Sequence, residues 1–265
     1  MRRRQSVSGQ RDSRAVSDVL AFILVFAIIL SSVTLLSMTG FQAMQDYQEA
    51  EQLQNADRAM EALAVNFNDV IRYDGIEQRY GELALREGTV STGDSGTTLN
   101  ISIDGDRINE TDPDLFADYG GDANATVNLG EFMYTSEGDR IAYEGGGLMR
   151  GHESESWSLV SKRPQLRCGD ETAVISLVRV SADDRSIQSS EGLGFTMSVE
   201  NRSSKVYNNT DKVNISVEES AYDDAWKSTL ESGDWGESDT GVCAVGDGSG
   251  SGRVVVTLVE VDVEY

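Results

Sequence analysis

Residues 19–45 carry no charged side chain, and within them "VLAFILVFAIILSSVTLL" is almost wholly Leu, Ile, Val, Phe and Ala. At about 1.5 Å per helical residue, about 20 such residues cross a hydrocarbon layer of about 30 Å. The apolar core of a secretory signal is shorter, at about 7 to 15 residues, and ends in a small-x-small cleavage site. Here the exit reads "SMTGFQAMQDY", a poor match to such a site. Arg2, Arg3, Arg4, Arg11 and Arg14 precede the run, and basic residues hold their side of a membrane helix in the cytoplasm. The expected partner of this segment is the lipid bilayer. The expected topology is single-pass with the N-terminus inside and the larger C-terminal part extracellular.

The helix is not expected to stop at the membrane. Leu53, Ala56, Met60, Leu63, Phe67 and Val70 recur at spacings of 3, 4, 3, 4 and 3, with polar and charged residues between them. That period draws one apolar seam along a helix. Between residues 16 and 73 there is no proline, and Gly40 is the only glycine. We therefore expect one long helix over residues 16–73, roughly 80 Å in length, apolar all round at first and amphipathic afterwards. An anchor followed by a separate amphipathic helix packed on its own domain is the alternative. Ser17 is the expected N-cap, and Asp18 places a carboxylate at the positive helix end.

The balance of charge narrows the partners. Forty-five acidic side chains face 22 basic ones, for a net charge of −23, and only four of the basic residues are lysines. Nucleic acid is excluded as a partner, because phosphate would be repelled. Residues 1–15 hold five arginines against Asp12 alone, so the remainder carries −27. Such self-repulsion is relieved in molar salt, where the Debye length falls to about 3 Å, and a salt-rich habitat is expected.

After Tyr73 glycine becomes frequent and short β-rich runs alternate with turns, among them "TLNISID", "ATVNLGEFMY", "TAVISLVRV", "LGFTMSVEN", "KVNISVEE" and "RVVVTLVEVDVEY". Nine or so such runs predict a mainly antiparallel, sandwich-like β domain over residues 74–265, and an α+β chain overall. "SAYDDAWKSTLES" reads as a short helix whose Tyr222, Trp226 and Leu230 pack on a sheet. Cys168 and Cys243 are the only cysteines, and outside the cell such a pair forms a disulfide more readily than a metal site. Asn-x-Ser/Thr sites stand at Asn100, Asn109, Asn124, Asn201, Asn208 and Asn214, all on the expected outer side, as glycosylation candidates.

Catalytic patterns are weak. "GDSG" at residues 93–96 resembles a serine-nucleophile loop, but the sole histidine, His152, lies downstream in a stretch that reads as an exposed loop. The aspartate-rich run from Asp104 lacks the glycine an EF-hand loop needs at its sixth place, where Asn109 stands. No enzyme activity, cofactor or metal is expected.

"RAVSDVLAF" sets Arg14 and Ala15 directly before the apolar helix, on its cytoplasmic side. This resembles the class III signal peptide of archaeal, particularly haloarchaeal, type IV pilins and pilin-like proteins. The resemblance implies a basic cytoplasmic leader, residues 1–15, cut by a prepilin peptidase between Ala15 and Val16. It also implies a retained helix that assembles through Leu53, Met60, Leu63 and Phe67 with other pilin subunits and the pilus machinery, and N-glycosylation of the outer domain. Asp18 stands where many haloarchaeal pilins have proline, and Leu20 where bacterial pilins have glutamate. A minor or accessory filament subunit is therefore the expectation. A monomeric membrane-anchored binding domain on a helical stalk is the alternative.

Overall fold

The elements below come from a computed structural model, which describes residues 12–83, 88–93, 95–108, 126–188, 192–232, 235, 241–248 and 250–265, with side chains from Ser17 onward. Helix α1 runs Asp12–Phe67 and a single turn, α2, covers Asp69–Arg72. Strands follow as β1 (Gln78–Leu83), β2 (Thr89–Gly93), β3 (Thr98–Ile103), β4 (Asp106–Arg107), β5 (Thr126–Asn128), β6 (Glu131–Ser136), β7 (Asp139–Glu144) and β8 (Gly147–His152). Beyond them come β9 (Glu155–Lys162), β10 (Gln165–Arg167), β11 (Thr172–Val180), β12 (Arg185–Gln188), β13 (Leu193–Thr210) and β14 (Lys212–Glu219). Helix α3 (Asp223–Leu230), β15 (Val242–Ala244) and β16 (Gly252–Glu264) follow, the last of the described elements. It is an α+β protein with mainly antiparallel sheets.

The chain divides into two units, the first ending at Glu51 and the second spanning Gln52–Tyr265. The β domain thus begins inside α1, earlier than residue 74, because the seam of the helix packs within it. The helix is also already formed at Asp12, so Ser17 lies inside α1 and is not its N-cap, and Asp18 sits beyond the first turn. That corrects the expected start of the helix in the uncut chain.

Three sheets build the second unit. Sheet 1 has the order β1-β13-β16-β11-β10, sheet 2 the order β12-β2-β6-β7-β8-β9, and sheet 3 the order β15-β14-β3-β4 with β5 also on β3. Among the described residues one strand pair is parallel, β11 with β16 in register from Thr172↔Arg253 to Val180↔Val261. Because successive strand residues point to opposite faces, a change of parity moves burial from one face to the other. Ala173, Ile175 and Leu177 of β11, with Val254, Val256 and Leu258 of β16, enter a first core that includes Trp226. Val178 and Val180, with Val259, Val261 and Val263, enter a second core that includes Phe67. The β7–β8 hairpin lies between the two: Ile141, Tyr143 and Leu148 join the second core, while Ala142 and Met149 join the first. Across the parallel pair Arg179 and Glu260, in register and both buried, form an ion pair, and Arg179 Nε also donates to the Asn128 carbonyl at 3.1 Å.

Cys168 and Cys243 form the expected disulfide with their Cα atoms 5.7 Å apart. The bridge joins the end of β10 in sheet 1 to β15 in sheet 3. Tyr222, the N-cap of α3, and Trp226 and Leu230 within it are buried in the first core, as their spacing indicates. His152 differs from expectation: it ends β8, pairs with Asp139 and Glu155 across the ladders, and its Nδ1 lies 3.1 Å from Ser154 Oγ.

Candidate functional site: the apolar helix

The first unit is dominated by side chains that face outward on every side of α1. Thirteen large apolar residues from Val19 to Leu36 are each between 51% and 71% exposed, and Met38, Phe41, Met44 and Tyr47 continue the surface. Water would disfavour each of them by about 1.5–3 kcal/mol relative to burial, so this surface requires an apolar surrounding. Three hydroxyls of the segment are bonded back along the helix. Ser32 Oγ donates to the Ile29 carbonyl at 2.8 Å, Thr34 Oγ1 to Leu30 at 2.8 Å and Thr39 Oγ1 to Leu35 at 3.0 Å. A hydroxyl bonded back along its own helix needs no water, which suits a hydrocarbon environment. Phe22 and Phe26, one turn apart, stack with centroids 6.1 Å apart. The helix is long and apolar enough to cross a membrane.

The same helix behaves differently in the second unit. Ala56, Met60, Leu63, Ala64, Phe67 and Val70 are buried in the second core, and Leu53 packs on it half-buried. Phe67 meets three rings edge-on, Tyr143 at 5.1 Å, Phe195 at 5.3 Å and Phe132 at 5.9 Å. Such aromatic contacts add about 0.5–1.5 kcal/mol each beyond area burial. Met60, Leu63 and Phe67 are therefore core residues, not the contact surface for other subunits that the resemblance implied, and Leu53 serves largely the same core. The physical reason is the apolar sheet face beside them, which competes for the seam within the chain itself.

A polar lock holds the end of this helix. Asn68 is buried, donates through Nδ2 to the Gly146 carbonyl at 2.8 Å and accepts from the Tyr143 hydroxyl at 3.0 Å. Gly145 and Gly146 adopt φ of +60° and +85° in the two-residue β7–β8 turn, a conformation in which glycine avoids the strain of a Cβ. Added Cβ atoms there would lie 2.9 Å from Leu129 Cδ1 and 3.2 Å from Asn68 Oδ1. Asp57 reinforces the attachment, 3.9 Å from Arg150 Nη1 and accepting from Ser161 Oγ at 3.4 Å, and Asp69 pairs with Arg79 at 3.0 Å. The periodic seam is visible in the sequence, but the lock is not. Its signal is an Asn directly after Phe67 and the Gly-Gly-Gly run far along the chain.

On the other side of the same turn lies a buried acid. Glu144 accepts from the Thr97 amide at 2.9 Å, from Thr97 Oγ1 at 2.7 Å and from Trp226 Nε1. Burial pushes its carboxyl from 4.5 up to about 7, against the opposing effect of these donors and with a small further rise from Glu131. Among the described residues no group of three or more His, Cys, Asp and Glu side chains is placed to hold a metal. Ser95 of the "GDSG" stretch donates to Glu131 at 2.6 Å, so its described partner is a carboxylate and not an imidazole.

The remaining candidates are scattered. Asn208 is exposed on β13, whereas Asn100, Asn201 and Asn214 are half-buried within strands. Asn109, Asn124 and most of the aspartate-rich run lie outside the described residues, as do the side chains of Arg14, Ala15 and Val16.

The fold and the helix together define a class: a chain with one membrane-capable apolar helix that runs on into a disulfide-bonded β domain. A family of unknown function, DUF7289, matches residues 14–264, and the chain belongs to it. No curated protein and no solved structure matches the chain.

Proposed function

We propose that the chain is a pilin-like surface subunit, inserted in the cell membrane through α1 with its N-terminus inside and its β domain outside. The observation that carries this reading is the dual character of α1, exposed and apolar over residues 19–44 and then core to the β domain from Ala56. An anchor that merely tethered a domain would need no continuous helix into that domain's core. The family match spans both parts, so the helix belongs with the domain. After cleavage between Ala15 and Val16 by a prepilin peptidase, the apolar surface leaves lipid for the equivalent surfaces of neighbouring subunits. Transfer between two apolar surroundings costs little, which makes the exchange from membrane to filament practicable. Assembly on this reading uses the residue 19–47 surface, since the seam is already occupied.

Burial of Met60, Leu63 and Phe67 within the domain favours a second reading, a monomeric membrane-anchored binding domain. The two are separated by N-terminal sequencing of the mature protein from cells with and without prepilin peptidase. A peptidase-dependent start at Val16 supports the filament reading. An uncut N-terminus in both strains overturns it and leaves the anchored domain.

A further inference from the structure

The outer face of sheet 1 near its β1 edge has two rows of residues in register across three strands. One row is Tyr80, Thr196 and Glu264, and the next is Gln78, Ser198 and Asp262. Alternate residues of the same strands, Leu83, Phe195, Met197, Val261 and Val263, turn inward to the second core, so these rows face solvent. Tyr80 is 74% exposed, the most exposed of the large aromatic side chains among the described residues. Gly194, diagonal to it, leaves open space where a side chain would stand.

Two hollows lie along the β1–β13 ladder. The first, about 520 Å³, is lined by Tyr80, Thr196, Glu264 and Arg185. The second, about 670 Å³, is lined by Gln78, Ser198 and Arg202. Each has a guanidinium already oriented by a carboxylate. Arg185 lies 3.2 Å from Asp183, with Asp262 and Glu264 also bearing on its charge, and Arg202 lies 3.0 Å from Asp74 and donates to the Ile76 carbonyl at 3.2 Å.

This is an exposed ring face flanked by planar donors and acceptors, without a deep apolar cavity. The C–H face of a pyranose ring is apolar and stacks on an aromatic ring. Its hydroxyls donate to carboxylates and accept from guanidinium groups. The surrounding Asp74, Glu77, Asp183, Asp262 and Glu264 disfavour a polyanion, and the polar lining disfavours an acyl chain. The two hollows in succession suit a chain of sugars.

We propose that this face binds a neutral oligosaccharide, with Tyr80 as the stacking platform and Arg185, Glu264, Gln78 and Arg202 as hydrogen-bonding groups. The proposal rests on the outward placement of the β domain, but its test does not depend on filament formation.

The test is saturation-transfer NMR on the full chain in a detergent without a sugar headgroup and in molar salt. The probes are cellotetraose, maltotetraose, mannotetraose and chitotetraose, with tetragalacturonate as the anionic comparison. Transfer to at least one neutral tetrasaccharide is expected, with affinity about tenfold weaker in Tyr80→Ala and unchanged in Leu159→Ala, an exposed residue on the far edge of sheet 2. Tyr80 packs on no core, so its variant retains the fold, and the disulfide-bonded β domain is checked by circular dichroism. Transfer to none of the neutral probes, equal transfer in Tyr80→Ala, or preference for tetragalacturonate overturns the proposal. The filament reading would survive any of those results.

Discussion

The hydroxyl of Tyr143 donates to Asn68 Oδ1 at 3.0 Å, and both side chains are buried. Through this bond the last turn of a helix is tied to a strand 75 residues away in the chain. The same Asn68 binds the turn that follows that strand, so one amide satisfies two separated parts of the hairpin.

Removing either partner leaves the other buried and unsatisfied, which costs about 1–3 kcal/mol. Tyr143→Phe and Asn68→Ala are each expected to lower the denaturation midpoint of the β domain. In a double-mutant cycle the combined loss should be smaller than the sum of the two. Additive losses would mean the bond contributes nothing of its own.

Leu63 and Val25 are both apolar residues of α1, yet they should fail in different ways. Leu63→Ala opens a cavity in the second core and is expected to cost about 2–5 kcal/mol. Val25→Glu should leave the β domain folded and the chain in the membrane fraction, because one carboxylate costs about 3 kcal/mol against the whole apolar run, while it weakens any assembly through that surface. Circular dichroism with membrane fractionation and electron microscopy checks both. A Leu63→Ala domain of full stability would contradict the burial described for the seam.

Glu144 makes stability depend on pH in a definite direction. The folded protein holds a proton up to about pH 7, whereas the unfolded chain releases it near 4.5. The unfolded state therefore binds fewer protons between these values, and folding stability falls as pH rises through the window, by about 3 kcal/mol for this group alone. Below 4.5 both states are protonated and the contribution is flat. Glu144→Gln should remove this part of the slope, measured as the difference between wild-type and variant denaturation curves at several pH values. Parallel curves would show that the acid does not titrate in the fold.

The Cys168–Cys243 bridge closes a loop with a sequence separation of 75. Chain entropy assigns such a loop about 4 kcal/mol. Reduction, or Cys168→Ser with Cys243→Ser, is expected to lower stability by that order. The double variant compared with reduced wild type separates loop closure from the substitutions themselves.

The sequence made some of this legible and concealed the rest for physical reasons. The uncharged run and the seam from Leu53 to Val70 are local periodicities, and they place the helix and its buried face. "TAVISLVRV" matches β11 residue for residue, between a bend at residues 170–171 and irregular chain at 181–184. "ATVNLGEFMY" hid a break at Gly130, whose φ of +56° ends β5 before β6 begins. "GLMRGH" read as loop because of its glycines, but β8 is buried on both faces and Gly147 and Gly151 fit where neighbours approach closely. The trade of the seam from assembly to core depends on a sheet folded from residues far away, which no local period records. Likewise the Tyr80 face exists only once β1 lies beside β13.

The parity change in β11 and β16 has a consequence for how this domain can vary over evolutionary time. At Leu177–Val178 and Leu258–Val259 the same two strands leave one core and enter the other. Neither core can be exchanged as a cassette, because half of each strand belongs to its neighbour. A single inserted residue at either place would put every later side chain on the wrong face. Novelty in descendants of this chain must therefore come through its turns and outer rows, with the lengths of these two strands held fixed.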